Sequence, residues 1–362
     1  MIDWDRVIGA MLAGAVGDAL GAPVEFLPID DIRRTFGPAG IVDFAGAHGG
    51  RGKITDETQL TLFTMEGLIR AHVAGRLDSD PDPVVRVVQH AYQRWLFTQG
   101  VPWDRAGGVF ARDGRPDGWL VGHRELHRRR APGTAVLAAL TAFAEGAGSP
   151  SPEDPHNDAK GCGAVMRLAP VALWADTPRA VFTTAARLGA LTHGHPTGYL
   201  PGGALAVIVR ELLLGAGLLS AIETACAELA RWPGHLETDL ALTAAVELAA
   251  AGRPSPELIA YALGGGWRGE QALAIAVCAA LVAEDLADGL RLAVNHSGDS
   301  DATGAICGNI LGALHGTAGI PKEWLHELEL REVIEQLTTD LLAELGADPP
   351  STSDWFTRYP GR

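Results

Sequence analysis

The stretch "NHSGDSDATGAICGNILGALHG", residues 295–316, begins as a polar cluster and continues as an apolar segment with glycine at every fourth position. This pattern predicts a buried helix whose first turn carries Asp299 and Asp301. Acids in a first turn are expected from helix electrostatics alone, since each stabilises a helix by about 0.3–1 kcal/mol. Carboxylates are also the ligands that hard cations prefer. Taken alone, the stretch leaves open whether the two aspartates only begin a helix or also bind a metal ion.

A second acidic turn begins the stretch "TDETQLTLFTMEGLIRA", residues 55–71. Thr55 is the predicted N-cap of a helix, and Asp56 and Glu57 fall in its first turn, so a helix start is the favoured interpretation of this turn alone. The two turns together supply hydroxyl and carboxylate oxygens at the starts of two apolar helices, which is how a helical bundle can hold hard cations. Clustered carboxylates would repel one another and raise their own pKa values without a cation. The pair of turns therefore predicts a magnesium or manganese site.

Small residues recur at every fourth position in two segments: Gly304, Gly308 and Gly312, and Gly9, Ala13, Gly17 and Gly21. An interior glycine costs a helix about 1 kcal/mol relative to alanine, so a sequence that keeps several needs the space. Two interpretations stay open at this point. The ridges could contact each other directly, or each could make room for a bulky neighbouring side chain.

Helical periodicity dominates the remainder of the 362 residues, and alanine and leucine fill most of the apolar positions. No sustained alternation of β-branched residues predicts strands, so the expected fold class is all-α. No segment has the length of an interdomain linker. We therefore expect one compact multi-helix domain over residues 1–345, followed by an irregular, proline-rich C-terminal tail over residues 346–362.

A formal net charge of −15 argues against nucleic acid or an anionic membrane as the main partner. The start "MIDWDRVIGAM" carries two acids and one arginine, unlike a targeting segment with a basic region before an apolar one. The four cysteines lie far apart, as is typical of free thiols in a reducing compartment. A cytoplasmic location is expected, and both a monomer and a dimer are compatible with the composition.

Weaker signals lie between the two acidic turns. Asp18 belongs to the first apolar helix, and Glu25 follows it just beyond Pro23. Glycines in "KGCGAVMRLAP" precede a helical segment, so backbone N–H groups there could receive a phosphate. His193 and His195 fall in a turn, where a solvated or hydrogen-bonded histidine is the favoured interpretation. Trp267 in "GGGWRGEQ" could stack on a base, although a place in the core is more typical of tryptophan.

Five motifs in this order, spanning about residues 8–318, carry a resemblance to the ADP-ribosylglycohydrolase family: "GAMLAGAVGDALGAPVEF", "TDETQLTLFTMEGLIRA", "KGCGAVMRLAPVAL", "LTHGHPTGYL" and "HSGDSDATGAICGNILGALHG". The resemblance implies an all-α domain with a binuclear magnesium or manganese centre between helices. It also implies hydrolysis of the glycosidic bond that joins ADP-ribose to an acceptor.

The resemblance further implies which residues do this. The metal ligands would be Thr55, Asp56, Glu57, Asp299 and Asp301. Glu25 and Asp56 would assist proton transfer. The substrate's diphosphate and ribose would contact a loop and a histidine: Lys160, Gly161, Cys162, Gly163, Ala164, Val165, Met166 and His193.

Two positions depart from the family's pattern. Glu57 stands where the family usually has aspartate, which lengthens the ligand by one methylene. Ala302 stands where a hydroxyl ligand is expected. Thr303, the next residue, is included among the metal ligands as its substitute, although its place one residue along predicts a side chain that points elsewhere. Magnesium keeps several waters, so the loss of one neutral ligand is tolerated better than the loss of a carboxylate.

The expected function is a magnesium-dependent hydrolase that releases ADP-ribose from a protein or small-molecule acceptor. Two alternatives stay open. Glu57 and Ala302 could leave an ADP-ribose-binding or structural protein with reduced or lost turnover, and the family includes crystallin-type relatives thought to be inactive. A magnesium-dependent phosphohydrolase acting on a nucleotide would use similar ligands, but only the acids support it.

Overall fold

Helices provide the regular structure in the computed structural model, which describes residues 2–77 and 82–362. Within those two ranges there is no β-strand, which confirms the predicted all-α class. The α-helices are α1 (Trp4–Gly21), α2 (Ile29–Phe36), α3 (Asp56–Leu77), α4 (Val84–Thr98), α5 (Trp103–Ala106), α6 (Thr134–Ala144), α7 (Pro178–Ala190), α8 (Pro196–Leu213), α9 (Leu218–Leu229), α10 (Leu236–Ala250), α11 (Pro256–Leu263), α12 (Gly269–Val282), α13 (Leu286–Val294), α14 (Ser300–His315), α15 (Lys322–Glu327), α16 (Arg331–Glu344) and α17 (Ser353–Arg358). Short 3₁₀ helices lie at Gly108–Asp113, Leu120–Gly122, Arg124–Leu126, Val165–Arg167, Ala169–Leu173 and Thr317–Gly319.

The two small-residue ridges contact each other directly along the α1–α14 interface. A Cβ atom added at Gly17 would lie 2.0 Å from the carbonyl oxygen of Gly304. One added at Gly308 would lie 2.0 Å from the carbonyl oxygen of Ala13. No side chain fits at such distances, so the glycines are required by the approach of two backbones. Of the two interpretations that the sequence left open, direct contact between the ridges is therefore correct.

Helix α3 packs against both members of this pair, and it is buried without interruption from Asp56 to Ala71. Because α1 runs antiparallel to α14 along the glycine ridges, the end of α1 lies beside the start of α14. A Cβ atom at Gly21 would lie 2.2 Å from the carbonyl oxygen of Ser300. The starts of α3 and α14 and the end of α1 therefore meet at one place.

The C-terminal segment differs from its predicted irregular structure. Helix α17 occupies Ser353–Arg358, with Thr352 as its N-cap. Tyr359 is completely buried, its hydroxyl donates to Asp340, and the Pro360 carbonyl accepts a hydrogen bond of 2.9 Å from Arg70. The prolines set the irregular part, but the tyrosine anchors the segment to the helical body.

Among the helices that the structure describes, none has both the length and the apolar character needed to cross a bilayer.

Candidate metal and substrate site

Five carboxyl side chains from three distant parts of the chain form two overlapping groups. Asp18 of α1, Glu57 of α3 and Asp301 of α14 each place an oxygen within 4.8 Å of the others. Glu25, which follows α1, does the same with Asp299 and Asp301. Asp301 belongs to both groups, so it lies at the centre of the acidic cluster.

Asp18 holds the start of α3 in place. Its carboxylate accepts hydrogen bonds from the backbone N–H groups of Thr55, at 3.0 Å, and Thr58, at 3.1 Å. It also accepts from both threonine hydroxyls, and the Thr55 hydroxyl contacts Glu57 as well. Thr55 occupies the N-cap position that the sequence predicted, since its carbonyl accepts from the first turn. The free N–H groups of that turn, however, are satisfied by an acid from another helix.

The two remaining predicted aspartates are tied to loops around the cluster. Asp56 accepts a hydrogen bond of 3.3 Å from the backbone N–H of Gly133, just before α6. Asp299 accepts one of 2.9 Å from the thiol of Cys162. These contacts fix the carboxylates against two segments that no local pattern connects to them.

Burial raises the pKa of every acid of the cluster, and the charge of Asp301 raises the pKa values of the others further. Burial, and then the charge of Asp301, raise the pKa of Asp18 to about 7 and the pKa of Glu25 to about 10. The same two causes, in that order, raise the pKa values of three more carboxyls well above their usual range: Asp56, Glu57 and Asp299. Without a cation, folding therefore forces several of these acids to keep their protons.

The donor set fits divalent cations of the hard type. Oxygens that are within 4.8 Å of one another can share one ion, because Mg²⁺ and Mn²⁺ bind oxygens at about 2.1 Å and opposite ligands then lie about 4.2 Å apart. All the donors are carboxylate oxygens, and a cation would remove the repulsion that raises their pKa values.

Thr303 does not join this cluster. Its hydroxyl contacts three backbone carbonyl oxygens, those of Ala293 at 2.8 Å, Asp299 at 2.9 Å and Ser300 at 3.2 Å. It also lies 2.9 Å from Nε2 of His296. The structure thus places its side chain against the backbone at the start of α14. Ala302, where a hydroxyl was expected, is completely buried, and its N–H donates to Asp301.

A cavity of about 340 Å³ opens above the acids. It is lined by Glu25, Phe26, Asp56, Glu57, residues 131–135, Gly161, Cys162, Gly163, Met166, His193, Trp267 and Asp299. Part of the predicted substrate loop therefore borders it. Lys160 instead directs its ammonium group to Glu237, at 3.2 Å, and the side chains of Ala164 and Val165 are buried in the core.

The two histidines of the turn before α8 differ in their surroundings. His193 is buried, its Nδ1 lies 2.8 Å from the Thr192 hydroxyl, and burial together with the charge of Arg167 lowers its pKa to about 3. It is therefore neutral at physiological pH, facing the cavity. His195 caps α8 by accepting from the N–H of Thr197 at 3.1 Å, so its hydrogen-bonded interpretation is confirmed.

Two aromatic side chains stand at the mouth of the cavity. Phe26 and Trp267 stack with ring centroids 5.2 Å apart, and their exposed fractions are 65% and 42%. The expected place of Trp267 in the core is therefore wrong. Phe26 also adopts a left-handed backbone conformation, φ 68°, which is uncommon for a bulky residue.

Sequence reasoning missed part of the site. The sequence motifs predict no role for Asp18, although an acid among the apolar residues of α1 is itself a signal. Phe26 follows Glu25 directly, but nothing in its neighbours predicts exposure. Residues 131–135 carry no chemical signal in the sequence, because their contribution is the backbone that lines the cavity and the Gly133 N–H.

Comparisons with known proteins agree on one family. The model of the ADP-ribosylglycohydrolase family matches residues 2–350. The chain is 28% identical to the ADP-ribosyl-[dinitrogen reductase] glycohydrolase of Rhodospirillum rubrum, over 95% of this chain and 98% of the relative. It is 25% identical to the ADP-ribosylarginine hydrolase Tri1 of Serratia proteamaculans (strain 568), over 93% and 79% of the two chains. A solved ADP-ribosylglycohydrolase-related protein complex superposes with a TM-score of 0.65 at 28% identity, covering 95% of this chain and 99% of that one.

Proposed function

The chain belongs to the ADP-ribosylglycohydrolase family, and we propose that it is a divalent-metal-dependent hydrolase that cleaves the glycosidic bond between ADP-ribose and an acceptor. One observation carries the proposal: five carboxyl groups from three distant segments meet beside a cavity of about 340 Å³. A buried acidic cluster is costly without cations, so its assembly beside a cavity supports the proposal of a metal site that faces a substrate.

Two cations, Mg²⁺ or Mn²⁺, would be held by the overlapping groups. Glu57, Asp301 and Asp18 would hold one, and Glu25, Asp299 and Asp301 the other, with the Thr55 hydroxyl and Asp56 beside them. When bound, such ions supply positive charge that orients the hydroxyls of the distal ribose and favours ionisation of a nearby water. Glu57 reaches the cluster despite its extra methylene, since its carboxylate already lies in the first group.

The chain's own carboxylates would perform the proton transfers. Glu25 and Asp56 both line the cavity, so both are in position to take a proton from the attacking water or to deliver one to the leaving group. The glycosidic bond breaks through a cation-like anomeric carbon, and carboxylates fixed around the cavity would stabilise that charge.

Backbone donors and a neutral histidine would hold the rest of ADP-ribose. The Cys162 N–H is already donated to the Trp267 carbonyl at 3.2 Å. The N–H groups of Met166 and Arg167 are also used, by the carbonyls of Cys162 and Ala164. The proposed donors to the diphosphate are therefore the N–H groups between them, from Gly163 to Val165. A Cβ atom at Gly163 would lie 3.0 Å from the His193 ring, so glycine there also keeps the histidine against the loop.

A direct assay tests the proposal. The protein is incubated with magnesium and with peptides that carry ADP-ribose on arginine or on serine, and release of ADP-ribose is followed. Arginine is the first acceptor to test, because two relatives are named for ADP-ribosylarginine. Release that requires magnesium and is abolished by Asp299→Asn is the expected result.

The alternatives give different results in the same assay. Binding of ADP-ribose without release from either peptide would favour the protein with lost turnover, for which Glu57 and Ala302 are the reasons. Phosphate release from a nucleotide, with no release of ADP-ribose, would favour the phosphohydrolase. Either result would overturn the proposal.

A further inference from the structure

A basic segment stands out in this acidic chain. The residues "HRELHRRR", 123–130, hold four arginines and two histidines, whereas the formal net charge of the protein is −15. The side chains of Arg124, Arg128 and Arg129 are exposed. In the part of the chain that the structure describes, no carboxylate pairs with Arg124 or Arg128. A local positive surface of this kind is unexpected unless it meets a negative partner.

The segment forms one wall of an open groove of about 460 Å³. The side chain of Glu329 is largely buried, and it is neutralised by Lys53, at 3.0 Å, and by Arg130. Arg124 and Arg128 line the same groove, with Glu125 as the only other acid in its lining. The groove lining thus holds four cationic side chains and two carboxylates. Its net charge is about +2 when His48 is neutral.

The groove adjoins the acidic cavity. The Arg130 guanidinium donates to the carbonyl of Ile54, the residue before the metal-binding turn. Three residues later, the Gly133 N–H donates to Asp56, on the wall of the cavity. One short segment therefore has the basic groove on one side and the candidate active site on the other.

The groove is also longer than a site for a small ion. A second depression of about 580 Å³ shares Glu125 with it and has an apolar part that includes Leu325 and Leu328. Its lining also holds Arg331 and Glu332, whose charges offset each other, so this depression adds apolar surface to the groove but no further positive charge. Cationic side chains beside apolar ones, along an extended surface, suit a peptide segment with carboxylates better than a free phosphate.

We propose that this groove binds an acidic segment of the protein that carries ADP-ribose, next to the modified residue. The inference rests on the proposed function, because it assigns a partner to the same site. The net negative charge of the enzyme would repel an acidic protein at long range, and the groove supplies attraction where the modified side chain must enter. Such steering acts mainly on association, so it should appear in kcat/KM and weaken with salt.

Two peptides test the inference. Both carry one ADP-ribosylarginine, flanked by four glutamates in one and four glutamines in the other. The Arg124→Gln/Arg128→Gln variant should lower kcat/KM for the acidic peptide by about fivefold to tenfold, as expected for the loss of two exposed ion pairs. Hydrolysis of the glutamine peptide and of free ADP-ribosylarginine should stay unchanged. The wild-type protein should have a higher kcat/KM for the acidic peptide than for the glutamine peptide, and this difference should decline with added sodium chloride.

The matched control is Arg179→Gln/Arg231→Gln, which removes the same charge from a different surface. Both of these arginines pair with Glu228. Equal rates of the wild-type protein on the two peptides, or an equal loss in the control variant, would overturn the inference.

Binding of a fluorescent acidic peptide without ADP-ribose separates the two proposals. One result would contradict the proposed function alone: neither peptide is hydrolysed, but the wild-type protein binds the acidic peptide and the Arg124→Gln/Arg128→Gln variant does not. The groove would then still be a binding site for an acidic segment. If hydrolysis occurs but anisotropy shows no binding that depends on these arginines, only the assignment of the groove to an acidic segment is contradicted. Tighter binding of a single-stranded oligonucleotide of equal charge would also overturn the assignment to a protein segment.

Discussion

Asp301 is the residue on which the metal proposal depends most, because it belongs to both carboxylate groups. We expect Asp301→Asn to weaken Mn²⁺ binding and to lower ADP-ribose release by at least about 100-fold, since even partners of a metal ligand cost up to that factor when lost. Calorimetric titration of Mn²⁺ and the release assay measure the two effects. Asp30→Asn, which changes an exposed carboxylate of α2, should leave both unchanged. Full activity in Asp301→Asn would contradict the ligand assignment.

Ala302 offers a gain rather than a loss. Ala302→Ser places a hydroxyl beside Asp301, and Thr303 does not supply one, because its own hydroxyl is held by backbone carbonyls. We expect the affinity for Mg²⁺ to rise by about threefold, the effect of one additional oxygen contact of about 0.7 kcal/mol. Ala313→Ser adds the same hydroxyl farther along α14 as a control. An unchanged affinity in Ala302→Ser would show that a hydroxyl at position 302 does not bind the metal ion in this protein.

At the scale of single residues, the sequence identified the acidic residues of the site better than it predicted the contacts and exposure of individual side chains. Asp299 and Asp301 could be singled out because acids before an apolar helix are visible as a pattern. The part played by Asp18 could not, since its partners, Thr55 and Thr58, lie far along the chain. The predicted burial of Trp267 was wrong for the same reason. Trp267 stacks on Phe26, which is distant in sequence, and no local pattern predicts that contact.

At the scale of elements, the contact between α1 and α14 positions the acids. We expect Gly308→Ala to reduce the free energy of unfolding by about 3 kcal/mol, because the added methyl group would meet the Ala13 backbone and the two helices would have to separate. Gly75→Ala on α3 is the matched control, since the nearest atom to its Cβ is 4.0 Å away. It should be neutral or stabilise the protein by up to about 1 kcal/mol. Urea unfolding followed by circular dichroism measures both changes.

The same contact shows how far an element can be predicted. A repeat of four residues indicates that glycines share one face of a helix, but it does not identify the neighbour. Direct contact of the ridges and space for a bulky side chain therefore could not be separated until both helices were placed. Likewise, the proline content predicted an irregular tail, whereas the structure has helix α17 there. The buried Tyr359, whose hydroxyl donates a hydrogen bond to Asp340 of α16, holds this helix against the protein.

At the scale of the whole molecule, the distribution of charge matters more than its sum. The net charge of −15 argued against nucleic acid or an anionic membrane as the main partner, but it could not show that carboxylates concentrate in one buried cluster while residues 123–130 form a basic wall beside it. Placement of charge depends on the packing of helices that are distant in sequence, which composition does not contain.

The acidic cluster should therefore link metal, pH and stability. Between about pH 4 and 7 an unfolded carboxyl has lost its proton, whereas the folded Asp18, with its pKa raised to about 7, still holds one. The unfolded state then binds fewer protons, so stability without metal should fall as pH rises through this range. Magnesium binds the ionised folded form and should offset the loss. In calorimetry, the rise in Tm on replacing EDTA with Mg²⁺ should be larger at pH 7.5 than at pH 5, by at least about 3 °C. The comparison at each pH cancels titrating groups outside the cluster. A rise of equal size at both pH values, or the same rise in Asp301→Asn, would mean that the cluster does not bind the ion.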